Sequence, residues 1–287
     1  MVAPAGCSAA EVHGAGAEDR GPPLTNALFH LRPLPTGEVV TLAGPEGRHA
    51  ATVRRLRPGE PVDLTDGAGR ALECEVVAVR RDEIDCAVRR RVEAAAPRVR
   101  LVVAQALAKG DRGERAVEML TEVGVDEIVP FAAARSVVRW EGERGARARE
   151  RWVRTAQEAA KQSHRLHWPT VAPLASLAEL ARRAAIVTTV AVTLHEQATH
   201  GLVGLLRDRP GSDERSGSDE RSGDGGMGEI LLVVGPEGGL TDAEVDDLRT
   251  AGAAVARLGP TVLRTSTAGV VAASIVLAEL GRWDGSG

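Results

Sequence analysis

The stretch Ile230-Leu231-Leu232-Val233-Val234-Gly235-Pro236-Glu237-Gly238-Gly239-Leu240-Thr241 decides the reading of the fold. Its five apolar residues read as a strand buried on both faces, the kind found in parallel sheets. The glycines that follow mark a turn where the backbone bends sharply or approaches a ligand closely. Thr241, with Glu244 three residues later, forms a capping box that starts a helix. A second unit of the same order lies nearer the end of the chain. A strand over 254–258 leads into the turn Leu258-Gly259-Pro260, and Leu263-Arg264-Thr265-Ser266-Thr267-Ala268 runs into an apolar helix over 267–280. Repeated strand, glycine turn and helix is how α/β proteins build a small-molecule site at the carboxyl edge of a parallel sheet. The spacing fits neither the GxGxxG dinucleotide fingerprint nor a P-loop.

Working outward, the same grammar begins after Ala94-Ala95-Ala96-Pro97, which reads as a link. Strands are predicted over 99–107, 127–130 and 186–194, with helices over 113–124, 143–163, 174–184 and 241–251. Leu194-His195-Glu196 ends one strand and supplies a third loop at the same edge. His195 is open to two readings, a site residue or a surface or capping histidine. Arg264 suits contact with phosphate or an anionic base, or a structural salt bridge, and Thr265 or Ser266 can cap the last helix.

Before the link the pattern is mostly period two, with strands expected over 38–42, 61–65, 71–79 and 84–88. Asp66-Gly67 is a hairpin signal, and a basic helix over 47–57 ends at Pro58-Gly59. A small β-barrel with one helix fits residues 21–95, followed by an α/β domain over 98–284. Residues 1–20, small and polar, read as a disordered extension. Gly211-Ser212-Asp213-Glu214-Arg215-Ser216 is repeated at once as 217–222, so 207–229 reads as an exposed, mobile insertion with no catalytic role.

The net charge of -4 argues against a general nucleic-acid coat protein, but charge is uneven. Between Arg135 and Arg165 nine Arg or Lys residues face four acids, a cluster that fits either a phosphate backbone or a solvated helix face. Tyrosine is absent and only Phe29 and Phe131 represent phenylalanine, so base stacking on an aromatic platform is not expected. Cys7, Cys74 and Cys86 form neither a metal-ligand spacing nor a disulfide framework, so no metal is expected, and Cys74 and Cys86 read as buried thiols. No signal peptide or membrane-length apolar run is present, which points to a cytoplasmic protein.

The ordered motifs carry a resemblance. They are Gly44-Pro45-Glu46-Gly47-Arg48-His49, Val53-Arg54-Arg55-Leu56-Arg57, Lys109-Gly110-Asp111-Arg112, Thr121-Glu122-Val123-Gly124-Val125, Arg135-Ser136 and Glu158-Ala159-Ala160-Lys161-Gln162-Ser163. Leu194-His195, Gly235-Pro236-Glu237-Gly238-Gly239 and Leu258-Gly259-Pro260 through Leu263-Arg264-Thr265 complete the set. Over roughly 24–284 the chain resembles the bacterial ribosomal RNA small-subunit methyltransferase E family, within the SPOUT (knotted) methyltransferases.

The resemblance implies a PUA-like RNA-binding barrel before an α/β domain with a deep C-terminal trefoil knot, acting as a homodimer. It implies transfer of a methyl group from S-adenosyl-L-methionine to N3 of uridine 1498 in 16S rRNA of the 30S subunit. The cofactor would lie among Leu194, His195, Gly235, Pro236, Glu237, Gly238, Gly239, Leu258, Gly259, Pro260, Leu263, Thr265, Ser266 and Thr267. RNA contacts would be Arg48, Arg54, Arg57, Lys109 and Arg165. Arg264 or Arg112 would support the uridine anion. Asp111 and Glu118 are candidate proton acceptors, or partners of an arginine or of the dimer interface. Ser266 and Glu196 depart from a glutamate and a proline common in the family. Two rivals stay open: a non-catalytic RNA-binding or ribosome-assembly protein, and a SPOUT enzyme acting on another nucleotide.

Overall fold

The computed structural model describes residues 24–208 and 228–283. The expected N-terminal extension lies outside the described residues, as does most of the 207–229 insertion; Arg207 ends a helix and Glu229 begins a strand.

The first module opens with β1 (Leu28–His30) and β2 (Val39–Leu42). A short helix α1 (Gly44–Arg48) follows and continues as one π-helical turn through His49–Val53. A single helix was expected to reach residue 57. It stops at Val53 because Arg55 takes a left-handed φ of 55°, which no right-handed helix continues. Then β3 (Pro61–Thr65), β4 (Arg70–Val79) and β5 (Ile84–Glu93) form an antiparallel meander. The order β1-β3-β4-β5-β2 leaves β1 and β2 as the two edges. Register shifts at Glu73/Cys74 and Val76/Ala78 bend the β4–β5 ribbon, and the sheet is a curled half-barrel instead of a closed one. Phe29, Leu42, Leu64, Leu72 and Ile84 fill its concave side with Cys74 and Cys86. Burial pushes both thiols up to about 12, so they pack as small apolar groups.

The second module runs β6 (Arg100–Ala106), α2 (Arg112–Val123), β7 (Glu127–Phe131), α3 (Gly142–Gln162), β8 (Thr170–Val171) and α4 (Leu177–Ala184). It continues with β9 (Thr189–Leu194), α5 (Leu202–Arg207), β10 (Glu229–Val234), α6 (Asp242–Thr250), β11 (Ala254–Ala256) and α7 (Thr265–Glu279). All six strands are parallel, in the order β11-β9-β10-β6-β7-β8. Strand β10 lies between β9 and β6, which is why its sequence is apolar without alternation. Helices α2, α3, α5 and α7 cover one face, and α4 and α6 the other.

Local choices fix these layers. Gly124, at φ 112°, closes α2 in the left-handed conformation a C-terminal cap needs. A Cβ at Gly113 would lie 2.7 Å from Trp152, so this glycine lets α2 and α3 approach. Both α4 and α6 begin with capping boxes, Ser176 with Glu179 and Thr241 with Glu244. The strand expected from Ile186 begins at Thr189, because 185–188 turn the chain back from α4 and leave Ile186 and Val187 exposed. β8 and α5 are too short to show a period and were not expected.

Candidate active site

The glycine loops converge at the carboxyl ends of β9, β10 and β11. They enclose a cleft of about 600 Å³ lined from 194–196, 234–240 and 257–268, with Arg112 at its side. This is where an open parallel sheet places a ligand.

The 235–239 turn is held from several directions. Gly239 has φ 70°, which a side chain would strain. A Cβ at Gly235 would sit 3.3 Å from Leu240 and one at Gly238 3.2 Å from Arg135. The Arg135 guanidinium donates to the carbonyls of Gly238 at 3.0 Å and Leu240 at 3.2 Å. Buried Glu244 does more than cap α6: one carboxylate oxygen accepts from the Thr241 N–H, and the other accepts from the Ala134 N–H at 2.7 Å. Three segments are thereby tied into one rigid turn.

Thr265 ties that turn to the last helix. Its buried hydroxyl donates to the Gly235 carbonyl at 2.7 Å and accepts from Gln105 Nε2 at 3.0 Å. It is not a side-chain cap, since α7 has none and Arg264 occupies its cap position; it is a buried residue that lines the cleft. Ser266 is also buried, and neither Ser266, Thr267 nor Pro260 lines the cleft. Leu194, His195, Leu258, Gly259 and Leu263 do line it, as do Glu196, Arg257, Thr261 and Val262, which the motif reading left out of the cofactor set. His195 Nδ1 accepts from the Gln197 N–H at 3.2 Å, so it shapes its own turn while its ring faces the cleft.

Glu237 takes a role that its place in the glycine turn does not reveal. Its carboxylate accepts from the Arg112 guanidinium at 2.7 Å and the Lys109 N–H at 3.1 Å. Partial burial raises its pKa, but the Arg112 bond, backbone N–H groups and the arginine's charge outweigh this and hold the carboxyl below its ordinary range. Arg112, Glu237 and Lys109 thus meet at one side of the cleft. Arg264 lines the cleft as an exposed guanidinium with no ion pair among the described residues. Asp111 pairs with Arg115 at 2.9 Å and Glu118 is exposed on α2; neither lines the cleft.

Of the expected RNA contacts, Arg48, Arg54 and Arg57 are exposed on the first module, Arg48 pairing with Asp82. Arg165 is placed differently. Its side chain is 12% exposed and donates to the Thr121 and Val125 carbonyls at 2.9 and 2.7 Å, with Asp126 at 3.7 Å. Burial lowers its pKa to about 10 against the pull of Asp126. This guanidinium seals the turn after α2. Charge counting cannot distinguish such an arginine from a surface one.

One glycine of the cleft fits a ligand that approaches the main chain closely. Gly259 has no left-handed φ and a Cβ there would meet nothing within 4 Å, so neither backbone nor packing calls for a glycine. It does line the cleft, where a side chain would take up ligand space. No group of acidic, histidine or cysteine side chains able to hold a metal occurs among the described residues, and no described helix is long and apolar enough to cross a membrane.

Residues 95–277 match the RNA methyltransferase domain family and 42–89 the RNA methyltransferase PUA domain family, which sets the class of the protein. The chain is 40% identical over 263 residues to ribosomal RNA small subunit methyltransferase E of Mycobacterium tuberculosis, covering 90% of this chain and 94% of that protein. The Bacillus subtilis protein of the same name is 32% identical over 237 residues, covering 82% and 88%. The crystal structure of a Neisseria gonorrhoeae ribosomal RNA small subunit methyltransferase E bound to S-adenosyl methionine superposes with a TM-score of 0.68 at 25% identity, covering 88% of this chain and 98% of that one. The chain belongs to the ribosomal RNA small subunit methyltransferase E family of the SPOUT superfamily.

Proposed function

We propose that this S-adenosyl-L-methionine-dependent RNA methyltransferase methylates N3 of a uridine in 16S rRNA of the 30S subunit, the family target uridine 1498. The observation that carries the reading is the cleft at the carboxyl edge of the sheet, framed by the Thr265 bridge and floored by glycine turns, in a chain of this family. In this reading Leu194, Leu258 and Leu263 supply apolar walls and the 235–239 and 258–259 main chain supplies donors and acceptors. When bound, the cofactor supplies an electrophilic methyl group on a sulfonium.

The chain's own task is orientation and charge. Attack by uracil N3 requires loss of its proton and a straight approach to the methyl. Arg264, without an ion pair among the described residues and beside the N-terminus of the 15-residue α7, would stabilise a developing uridine anion, with the helix dipole acting in the same sense. Arg112, anchored by Glu237, is the second candidate. Asp111 is engaged with Arg115, which disfavours it as a proton acceptor. The exposed Arg54 and Arg57 suit phosphate positioning by the first module.

The reading includes the division into a half-barrel RNA module over 21–95 and a catalytic module over 98–284, the trefoil knot of the resemblance, and a homodimer. Support for the dimer is α7, apolar around its circumference, with Val271 and Ile275 half-exposed in a single chain. The test is methylation of unmodified 30S particles with mass mapping of the product. A methyl group on N3 of one 16S uridine is expected, and a product at another nucleotide or none would overturn the assignment. Arg264→Ala should lower methyl transfer far more than cofactor affinity; unchanged turnover at saturating RNA would remove Arg264 from the chemistry.

A further inference from the structure

One buried cation has no part in the cleft. Lys161, in the last turn of α3, is 8% exposed, and its Nζ donates to Glu46 at 2.9 Å and Glu158 at 2.7 Å. Glu158 belongs to its own helix and is largely exposed; Glu46 belongs to α1, in the other module. The second oxygen of Glu46 is buried without a partner, so this carboxylate depends on Lys161. Burial opposes the charge on Lys161, but the hydrogen bonds from it to Glu158 and Glu46 outweigh that and raise its pKa.

The place of Glu46 gives the pair its meaning. α1 runs directly into the π-helical turn and then into the Arg54–Arg57 turn, where Arg55 holds its left-handed φ. A grip on Glu46 therefore fixes the root of the segment that displays the exposed arginines. Elsewhere the junction brings His164 within electrostatic reach of the buried Asp63, and its direct contacts are uncharged. Trp168 packs against the His30 ring at 4.6 Å and covers Gly67, His167 meets the Ala94 carbonyl, and Gly69 donates to the Leu166 carbonyl. Buried apolar and aromatic contacts tolerate small rotations; a charge-assisted bond at one point does not.

We infer that Lys161 is a positioning residue for RNA: through Glu46 it sets the arginine turn of the first module in register with the catalytic cleft of the second. It touches neither cofactor nor substrate. The inference rests on the functional reading above, because it presumes that RNA spans both modules.

The test uses full-length Lys161→Met and Glu46→Gln, the second a near-isostere that avoids leaving a bare buried carboxylate. Both are assayed on unmodified 30S particles, with cofactor affinity by calorimetry and folding by thermal unfolding. KM for particles should rise about tenfold in each, with kcat at saturation within about twofold of wild type. Cofactor affinity should stay unchanged, and the double variant should be no worse than Lys161→Met alone. An unmoved KM in folded Glu46→Gln, or a fall in kcat alone, would overturn the positioning role. An inactive wild type would instead overturn the functional reading on which it rests.

Discussion

Replacing Thr265 with valine tests whether the cleft is framed before any ligand arrives. Valine keeps the shape and β-branching of threonine, so helix propensity and packing change little. What it removes is one hydroxyl with two bonds, at 2.7 Å to the Gly235 carbonyl and 3.0 Å from Gln105 Nε2. Gln105 has only a 3.4 Å contact with the Ala106 carbonyl to fall back on, and its own Oε1 is already unpartnered. An orphaned buried group costs about 1–3 kcal/mol, so two of them sum to about 2–6 kcal/mol. Because the two bonds join the 235 turn to the start of α7, the loss falls on the closed arrangement of the loops. At about 1.4 kcal/mol per decade, even 2 kcal/mol lowers the binding-ready population by about 30-fold. Urea unfolding should show the loss of stability, and calorimetry a weaker affinity for S-adenosyl-L-methionine. Thr265→Ser, which keeps the hydroxyl, should fall near wild type in both. Equal behaviour of the valine and serine variants would show that the bridge does not frame the cleft.

Three further outcomes are expected. Gly259→Ala should leave unfolding free energy within about 0.5 kcal/mol of wild type, since the fold has room for the methyl group, yet weaken cofactor affinity by about tenfold; an unchanged affinity would refute the close approach of ligand to main chain there. Arg165→Met should destabilise by about 2–3 kcal/mol in chemical denaturation because it strips donors from two buried carbonyls, Asp126 keeping Arg282 at 2.7 Å, while RNA affinity per folded molecule is kept; a stable variant with weakened RNA binding would restore the phosphate role. Glu237 has a folded pKa below its unfolded value of about 4.3, so its contribution is complete above that pH and is lost as pH falls through the lowered value. Glu237→Gln should therefore differ most from wild type near neutrality and converge with it in acid, and a stability difference independent of pH would count against the Arg112 bond.

What was legible in the sequence was what local pattern records. The unbroken apolar run of β10, the glycines after it and the Thr241–Glu244 box specify strand, turn and helix within a dozen residues, and the structure follows them. The period-two reading of 61–65 and 71–79 held for the same reason. The half-barrel edge did not show, because a bend in β4–β5 depends on register between strands and not on composition along one. Nor did the left-handed Arg55, since nothing in a run of arginines announces a positive φ.

The site was legible by position but not by role, and Glu237 shows why. A glutamate among glycines at the end of a central strand reads as a cofactor contact, because its neighbours are all at the ligand's edge. Its partners, Lys109 and Arg112, lie more than a hundred residues earlier, at the start of another helix, and no spacing rule connects the two stretches. Thr265 with Gly235 and Lys161 with Glu46 are of the same kind. In each, one long-range bond converts a residue that looks like a ligand contact, a cap or a solvated charge into a strut. Local sequence places such residues at the right edge of the fold; only the tertiary bond shows that they also hold that edge together.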